Sequence, residues 1–178
     1  MVTLKGETIK LRALEPSDID FLESTENDES LWQLSNTVVP FSRYQLEQYI
    51  LNASTDVYES KQLRLVISEH SNQPMGFIDL YEFDPINKKA GVGIVILDLK
   101  NRGNGHGREA LELMIEYSFS VLDLHQLYCQ ITESNSQSLR LFESLGFSKV
   151  ALKKDWTLWD GSFSNEWFLQ LINSKHVH

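Results

Sequence analysis

Three glycines stand at alternate positions in the run Arg102-Gly103-Asn104-Gly105-His106-Gly107-Arg108, with an arginine at each end. Residues 90–97 before it are unbroken apolar and glycine, a strand pattern, and helical periodicity sets in from Asn104. A strand therefore passes into a helix through a glycine-rich loop. Glycine lets the backbone approach a ligand closely and adopt conformations that a Cβ forbids. The first N–H groups of such a helix lack intrahelical acceptors and carry the positive end of its dipole. The junction is therefore an anion site suited to a pyrophosphate. Two other phosphate loops do not match. A Walker A loop ends Gly-Lys-Ser/Thr, whereas this one ends Gly107-Arg108-Glu109. The dinucleotide pattern Gly-x-Gly-x-x-Gly needs a different spacing and a βαβ setting, not a preceding three-stranded meander.

A second group of reactive side chains lies on the strand over residues 75–83. Asp79 and Tyr81 share one face of it and Glu82 lies on the other. They read either as acid–base and cation-binding groups or as solvent-facing strand residues. Trp32 and the tryptophans at 156 and 159 could wall a pocket for a cation, or pack as core and strand-pair residues. Cys129, inside an alternating strand, reads as a small buried hydrophobe. The five histidines have no metal-ligand spacing, so no metal is expected; His106 sits on the glycine loop itself.

These residues need a scaffold, and the chain alternates element types throughout its 178 residues. Strands are expected over 8–14, 61–68, 75–83, 88–97, 126–132, 147–152 and 166–172, and helices over 15–26, 43–51, 104–122 and 135–145. The stretch 27–42 reads as irregular. The pattern predicts an α/β (α+β) domain, with a central mixed, twisted sheet of about six or seven strands and flanking helices. One domain over 1–178 is expected, since no linker, repeat or low-complexity stretch interrupts the pattern. The strand over 88–97 is predicted to be central and buried on both faces.

Apolar and charged fractions of 42% and 23% are those of an ordinary globular chain. The net charge of −9 argues against nucleic acid, which needs clustered lysine and arginine. It is compatible with a cationic substrate, or merely with solubility. No apolar run approaches the ~20 residues that span a bilayer, no secretory leader is visible, and the single cysteine cannot form an internal disulfide. No membrane partner and a cytoplasmic location are the resulting expectations.

Two blocks carry a family resemblance. Arg102, Gly105 and Gly107 match the Gln/Arg-x-x-Gly-x-Gly/Ala signature of the GCN5-related N-acetyltransferase (GNAT) superfamily. The block from Asn135 to Phe147, with Ser138, Leu141, Phe142 and Gly146, resembles that family's Asn-x-x-Ser/Ala-x-x-Leu-Tyr-x-x-x-Gly-Phe. The resemblance spans nearly the whole chain and implies the GNAT fold, acetyl-CoA as co-substrate and an amine acceptor, with a homo-oligomer compatible. It implies that two parallel strands splay apart around the pantetheine arm, with backbone groups of Val95, Ile96 and Leu97 bonding it. The amides of Arg102, Gly103, Asn104, Gly105, His106, Gly107 and Arg108 would hold the pyrophosphate. Asn135, Ser138 and Phe142 would face the CoA arm, although Asn135 also fits a plain helix N-cap.

Transfer to an amine requires the neutral nucleophile, and deprotonating an alkylammonium of pKa about 10.4 at pH 7 costs roughly 4–5 kcal/mol. A base, direct or through water, is therefore useful, whereas a thiol of pKa about 8.5 leaves readily as thiolate. The sequence departs from the resemblance at both expected positions: Phe142 stands where many relatives have an acidic tyrosine, and Gly91 where many have glutamate. Asp79 and Glu82 remain as catalytic candidates, and Trp32, Asp79, Tyr81 and Glu82 as acceptor-binding ones. The likeness extends to polyamine acetyltransferases acting on substrates such as spermidine. Acetylation of protein N-termini, as by ribosomal-protein acetyltransferases, and a catalytically weak acyl-CoA sensor are the alternatives.

Overall fold

The computed structural model describes residues 2–35, 37–53, 55–97 and 103–176. The strands are β1 (Ile9–Ala13), β2 (Leu63–Glu69), β3 (Pro74–Asp84), β4 (Lys89–Ile96), β5 (Gln126–Thr132), β6 (Ser148–Trp159) and β7 (Ser162–Ile172). The helices are α1 (Ile19–Glu26), α2 (Glu29–Ser35), α3 (Arg43–Asn52), α4 (Val57–Ser60), α5 (His106–Ser120) and α6 (Ser136–Ser144). All seven strands join one sheet in the order β1-β2-β3-β4-β5-β7-β6. Neighbours are antiparallel except β4 and β5, which run parallel with α5 as the crossover between them. This is the mixed sheet with flanking helices that the alternation of elements predicted.

Alternation along the strands sends successive side chains to opposite faces. On β2, Leu65 and Ile67 join a core built with Ala110, Leu111 and Met114 of α5. Val66, between them, joins Phe77, Leu22 of α1 and Leu46 and Ile50 of α3 in a second core. The helices therefore cover both faces. Local signals set their ends: Ser42 and Gln45 form a reciprocal capping box at the start of α3, and Gly146 adopts φ 92° after α6.

Three expectations are corrected. The stretch 27–42 is not irregular throughout, because α2 occupies Glu29–Ser35. The last two strands are longer than their apolar cores suggested, forming a hairpin around Asp160 and Gly161 at φ 47° and 73°. Both residues tolerate the positive φ that a two-residue hairpin turn needs. Strand β4 is central, but only Ala90, Gly91 and Val92 are buried; from Gly93 to Ile96 it is half-exposed because it borders a cleft.

Candidate active site

Strands β4 and β5 are in register only where Lys89, Ala90 and Gly91 face Gln126, Leu127 and Tyr128. Beyond Gly91 they part. Strand β4 stays with β3 as far as Ile96, and β5 stays with β7 as far as Thr132. The far half of β4 thus presents a backbone edge toward a gap. Gly76 on β3 permits a close approach of β4: a Cβ there would meet the Val95 carbonyl oxygen at 2.1 Å, while the Leu97 N–H donates to the Met75 carbonyl at 3.0 Å.

The start of α5 lies beside this gap, where a Cβ on Gly107 would come within 3.7–3.9 Å of Leu141, Ile94 and Ile96. Gly103 and Gly105 adopt φ 81° and 85°, a region that costs a residue with a Cβ about 1–2 kcal/mol. Gly105 is the N-cap of α5, and the first helical bond runs from the Glu109 N–H to the Gly105 carbonyl at 3.0 Å. The N–H groups of His106, Gly107 and Arg108 are therefore left without intrahelical acceptors at the positive end of the helix. The Nδ1 atom of His106 is buried beside them without a hydrogen-bond partner among the described residues. A buried, unpaired ring nitrogen at such a place suits a phosphate oxygen. The Arg108 guanidinium points elsewhere, to Glu112 at 2.9 Å and the Ser144 hydroxyl at 3.0 Å. Arg102 lies outside the described residues. Asn104 is exposed in the turn.

On the opposite wall, Asn135 caps α6 by accepting from the Ser138 N–H at 3.2 Å, and both residues border the cleft. Phe142, only 3% exposed, lies edge-on to Phe147 at 5.0 Å and closes the floor. The cleft widens into a cavity of about 360 Å³ between α2, β3, β4 and β5, within the range of small-molecule sites. Asp79 and Tyr81 both line it, as the strand alternation predicted.

Of its charged residues only Asp79 was a candidate from the sequence. Arg64 of β2 faces Asp79 of β3 and grips it with two bonds of 2.7 and 3.1 Å. The same guanidinium donates to Glu26 of α1 and packs over Phe77 and Tyr49 at 5.3 and 5.6 Å. Burial opposes its charge, but Asp79 and Glu26 hold the Arg64 pKa above its ordinary value. Glu166 of β7, also on the wall, pairs with Lys153 at 2.8 Å. Two wall carboxylates thus share one guanidinium, and the third pairs with Lys153. Of Arg64, Glu26 and Glu166, which sequence reasoning missed, only Arg64 gave any signal, as a charged residue inside an alternating strand.

Gly91 has no room for the glutamate of the resemblance, because a Cβ there would meet the Tyr81 ring at 2.1 Å. Tyr81 stands edge-on to Tyr128 at 5.9 Å. Glu82, a catalytic and acceptor-binding candidate, is not on the cavity wall. The β3–β4 register shifts between Tyr81 and Asp84, Glu82 takes φ 49°, and its carboxylate accepts from the Tyr128 hydroxyl. Trp32 is not on the wall either; its indole N–H donates to the Glu26 carbonyl at 2.9 Å, and its neighbours Leu31, Gln33 and Leu34 line the cavity instead. Trp156, 60% exposed, borders an outer recess and carries the Lys153 ammonium 4.2 Å from its ring. Cys129 borders the cavity as a buried free thiol whose pKa burial raises.

Among the described residues no helix is long and apolar enough to cross a membrane. None of them form a group of three or more His, Cys, Asp or Glu side chains able to hold a metal.

Comparison with known proteins gives concordant results. A family model described as an acetyltransferase (GNAT) domain matches residues 8–148. The chain is 22% identical over 170 residues to spermidine N(1)-acetyltransferase of Vibrio cholerae serotype O1, covering 96% of each. It is 25% identical over 149 residues to spermidine N(1)-acetyltransferase of Escherichia coli K12, covering 80% of this chain and 74% of that one. The crystal structure of the Vibrio cholerae spermidine N-acetyltransferase in complex with CoA and spermine superimposes with a TM-score of 0.85, at 22% identity over 96% of this chain and 98% of that one.

Proposed function

Since the chain belongs to the GNAT acetyltransferase family, we propose that it transfers the acetyl group of acetyl-CoA to a small primary amine or a polyamine such as spermidine. The observation that carries this reading is the parting of β4 and β5 beside a cavity walled by Glu26, Asp79 and Glu166. The pantetheine arm runs beside β4 at Val95, Ile96 and Leu97, in the gap left where β5 parts from it. The amides of Gly103, Asn104, Gly105, His106, Gly107 and Arg108 face the pyrophosphate, with His106 Nδ1 supplying a further polar contact, and Asn135 and Ser138 flank the arm.

The amine nitrogen attacks the thioester carbonyl carbon. The C–N bond forms, the C–S bond breaks and CoA leaves as thiolate. Backbone N–H groups near Ile96 stabilise the tetrahedral oxyanion, the type of contact worth about 3–4 kcal/mol when removed one donor at a time. The cavity's carboxylates outnumber its guanidinium, which favours a cationic acceptor. The likeness to enzymes named for spermidine supports the same class. The lone buried cysteine accords with a reducing compartment.

A screen of amine acceptors that follows release of free CoA thiol tests the reading. Fastest turnover is expected with diamines and polyamines. Preference for N-terminal peptides would overturn the acceptor class and leave the acetyltransferase standing. Acetyl-CoA binding without acceptor-dependent thiol release would instead mark an acyl-CoA sensor.

A further inference from the structure

The titratable side chains on the cavity wall are Glu26, Arg64, Asp79, Tyr81, Cys129 and Glu166. Five have a clear assignment. Arg64 holds Glu26 and Asp79, Lys153 holds Glu166, and Cys129 is a buried thiol. Of the titratable oxygen and nitrogen groups on this wall, the Tyr81 hydroxyl alone has no hydrogen-bond partner among the described residues, although Tyr81 borders both the cavity and the outer recess. Its ring lies over Gly91, the last residue at which β4 and β5 still pair. The hydroxyl therefore stands at the fork where the thioester arm and the acceptor meet. A phenol whose two hydrogen-bonding functions are both unused, in a cavity whose carboxylates are each held by a cation, is available to a ligand.

We infer that Tyr81 is a catalytic residue of the acetyl transfer, relaying the proton of the attacking nitrogen to the departing sulfur. The inference rests on the acetyltransferase reading above. The acceptor first loses one proton to solvent and attacks as a neutral amine. As the C–N bond forms and the C–S bond breaks, an N–H proton passes to the Tyr81 oxygen and the phenolic proton passes to sulfur. The products are the amide and CoA thiol, and the phenol is regenerated. Such a relay works only while the phenol stays protonated. Burial, first, and then Cys129 of β5, Glu82 and Asp79 of β3 and Glu166 of β7 keep its pKa above the ordinary value. Arg64 and Lys153 stand behind Asp79 and Glu166, and Tyr128 meets the ring edge-on.

The full-length enzyme carrying Tyr81→Phe tests the inference, since phenylalanine keeps the ring over Gly91. Its kcat should fall about 100-fold, the low end of the range for proton-transfer catalysis, with acetyl-CoA Kd and amine KM within about twofold of the native enzyme. Replacing Tyr81 by 3,5-difluorotyrosine should restore most of the rate. It should also bring a falling limb in the pH profile of kcat to lower pH, because an ionised phenol has no proton to pass on. A structural role would leave that profile unmoved. Native kcat in Tyr81→Phe, or identical profiles for tyrosine and difluorotyrosine, overturns the relay alone. A native enzyme that turns over no amine overturns the relay together with the acetyltransferase reading.

Discussion

The Tyr81 ring fills the space that a side chain on Gly91 would need, with Cε2 at 2.1 Å and Cζ at 2.3 Å from a Cβ built there. The two positions are direct partners across β3 and β4. The ring cannot simply swing aside, because Tyr128 stands edge-on to it and is itself stacked on Phe168 at 5.4 Å.

Gly91→Ala should therefore destabilise the fold by about 1–3 kcal/mol, as overpacking does. A smaller neighbour should relieve it, so Gly91→Ala combined with Tyr81→Leu should lose less than the two separate losses added together. Urea denaturation of the two single variants and the double variant reads the coupling. Strictly additive losses would show that the ring yields easily.

The loop glycines differ in what a side chain would meet. At Gly105 no atom lies within 4 Å of a Cβ built there, so the obstacles are its φ of 85° and the pyrophosphate proposed to lie against its backbone. Gly105→Val should weaken acetyl-CoA binding at least tenfold while costing the fold about 1–2 kcal/mol. At Gly107 a Cβ would sit at 3.7 Å from Leu141 Cδ2 and 3.9 Å from Ile94 and Ile96, ordinary contact without positive φ. Gly107→Ala should bind acetyl-CoA almost normally. Calorimetric titration of both variants makes the comparison.

Asp18 supplies a pH dependence. Burial opposes its charge, yet two hydrogen bonds from Arg12 at 2.8 Å and one from the Glu15 N–H hold its pKa below the ordinary carboxylate value. A depressed carboxylate stabilises the fold fully above its unfolded pKa of about 3.9 and loses that contribution as pH falls through the folded value. Urea midpoints should decline below about pH 4 in the native chain. Asp18→Asn should lower stability by about 1–3 kcal/mol at neutral pH and flatten that decline.

Acceptor binding should respond to the cavity carboxylates and not to Glu82. Glu166→Gln should raise the KM for spermidine severalfold with little change in kcat, as lost ground-state binding does. Glu82→Gln should leave that KM within about twofold, since its carboxylate is off the cavity wall and bonded to Tyr128. Raising ionic strength should raise the native KM, because a Debye length of about 10 Å at 0.1 M screens such contacts. Steady-state kinetics with the two variants at two salt concentrations decides it.

What the sequence determined by itself is what depends on near neighbours in the chain. Gly103, Gly105 and Gly107 before a periodic helix, Asn135 as an N-cap and Gly146 as a left-handed stop are set by backbone sterics within a few residues. They announced the anion loop, the order of elements and the family. The alternation that put Asp79 and Tyr81 on one face of β3 was legible for the same reason. Glu82 escaped it, because the register shift after Tyr81 turns that side chain toward Tyr128. The hairpin of β6 and β7 also outran its apolar stretches, since pairing along an edge does not need apolar side chains at every step.

The cavity proposed as the acceptor site was decided only by tertiary structure. Arg64 meets Asp79 through the β2–β3 register and meets Glu26 through the docking of α1, 38 residues away in the chain. The Tyr81–Gly91 contact depends likewise on the pairing of β3 with β4. Strand register and helix docking are fixed by the burial of whole apolar faces, here the two cores on either side of β2. No local pattern encodes which charges that burial will bring together. The glycine loop proposed to hold the cofactor is thus written in consecutive residues, and the cavity proposed for the amine exists only once the sheet has closed around it.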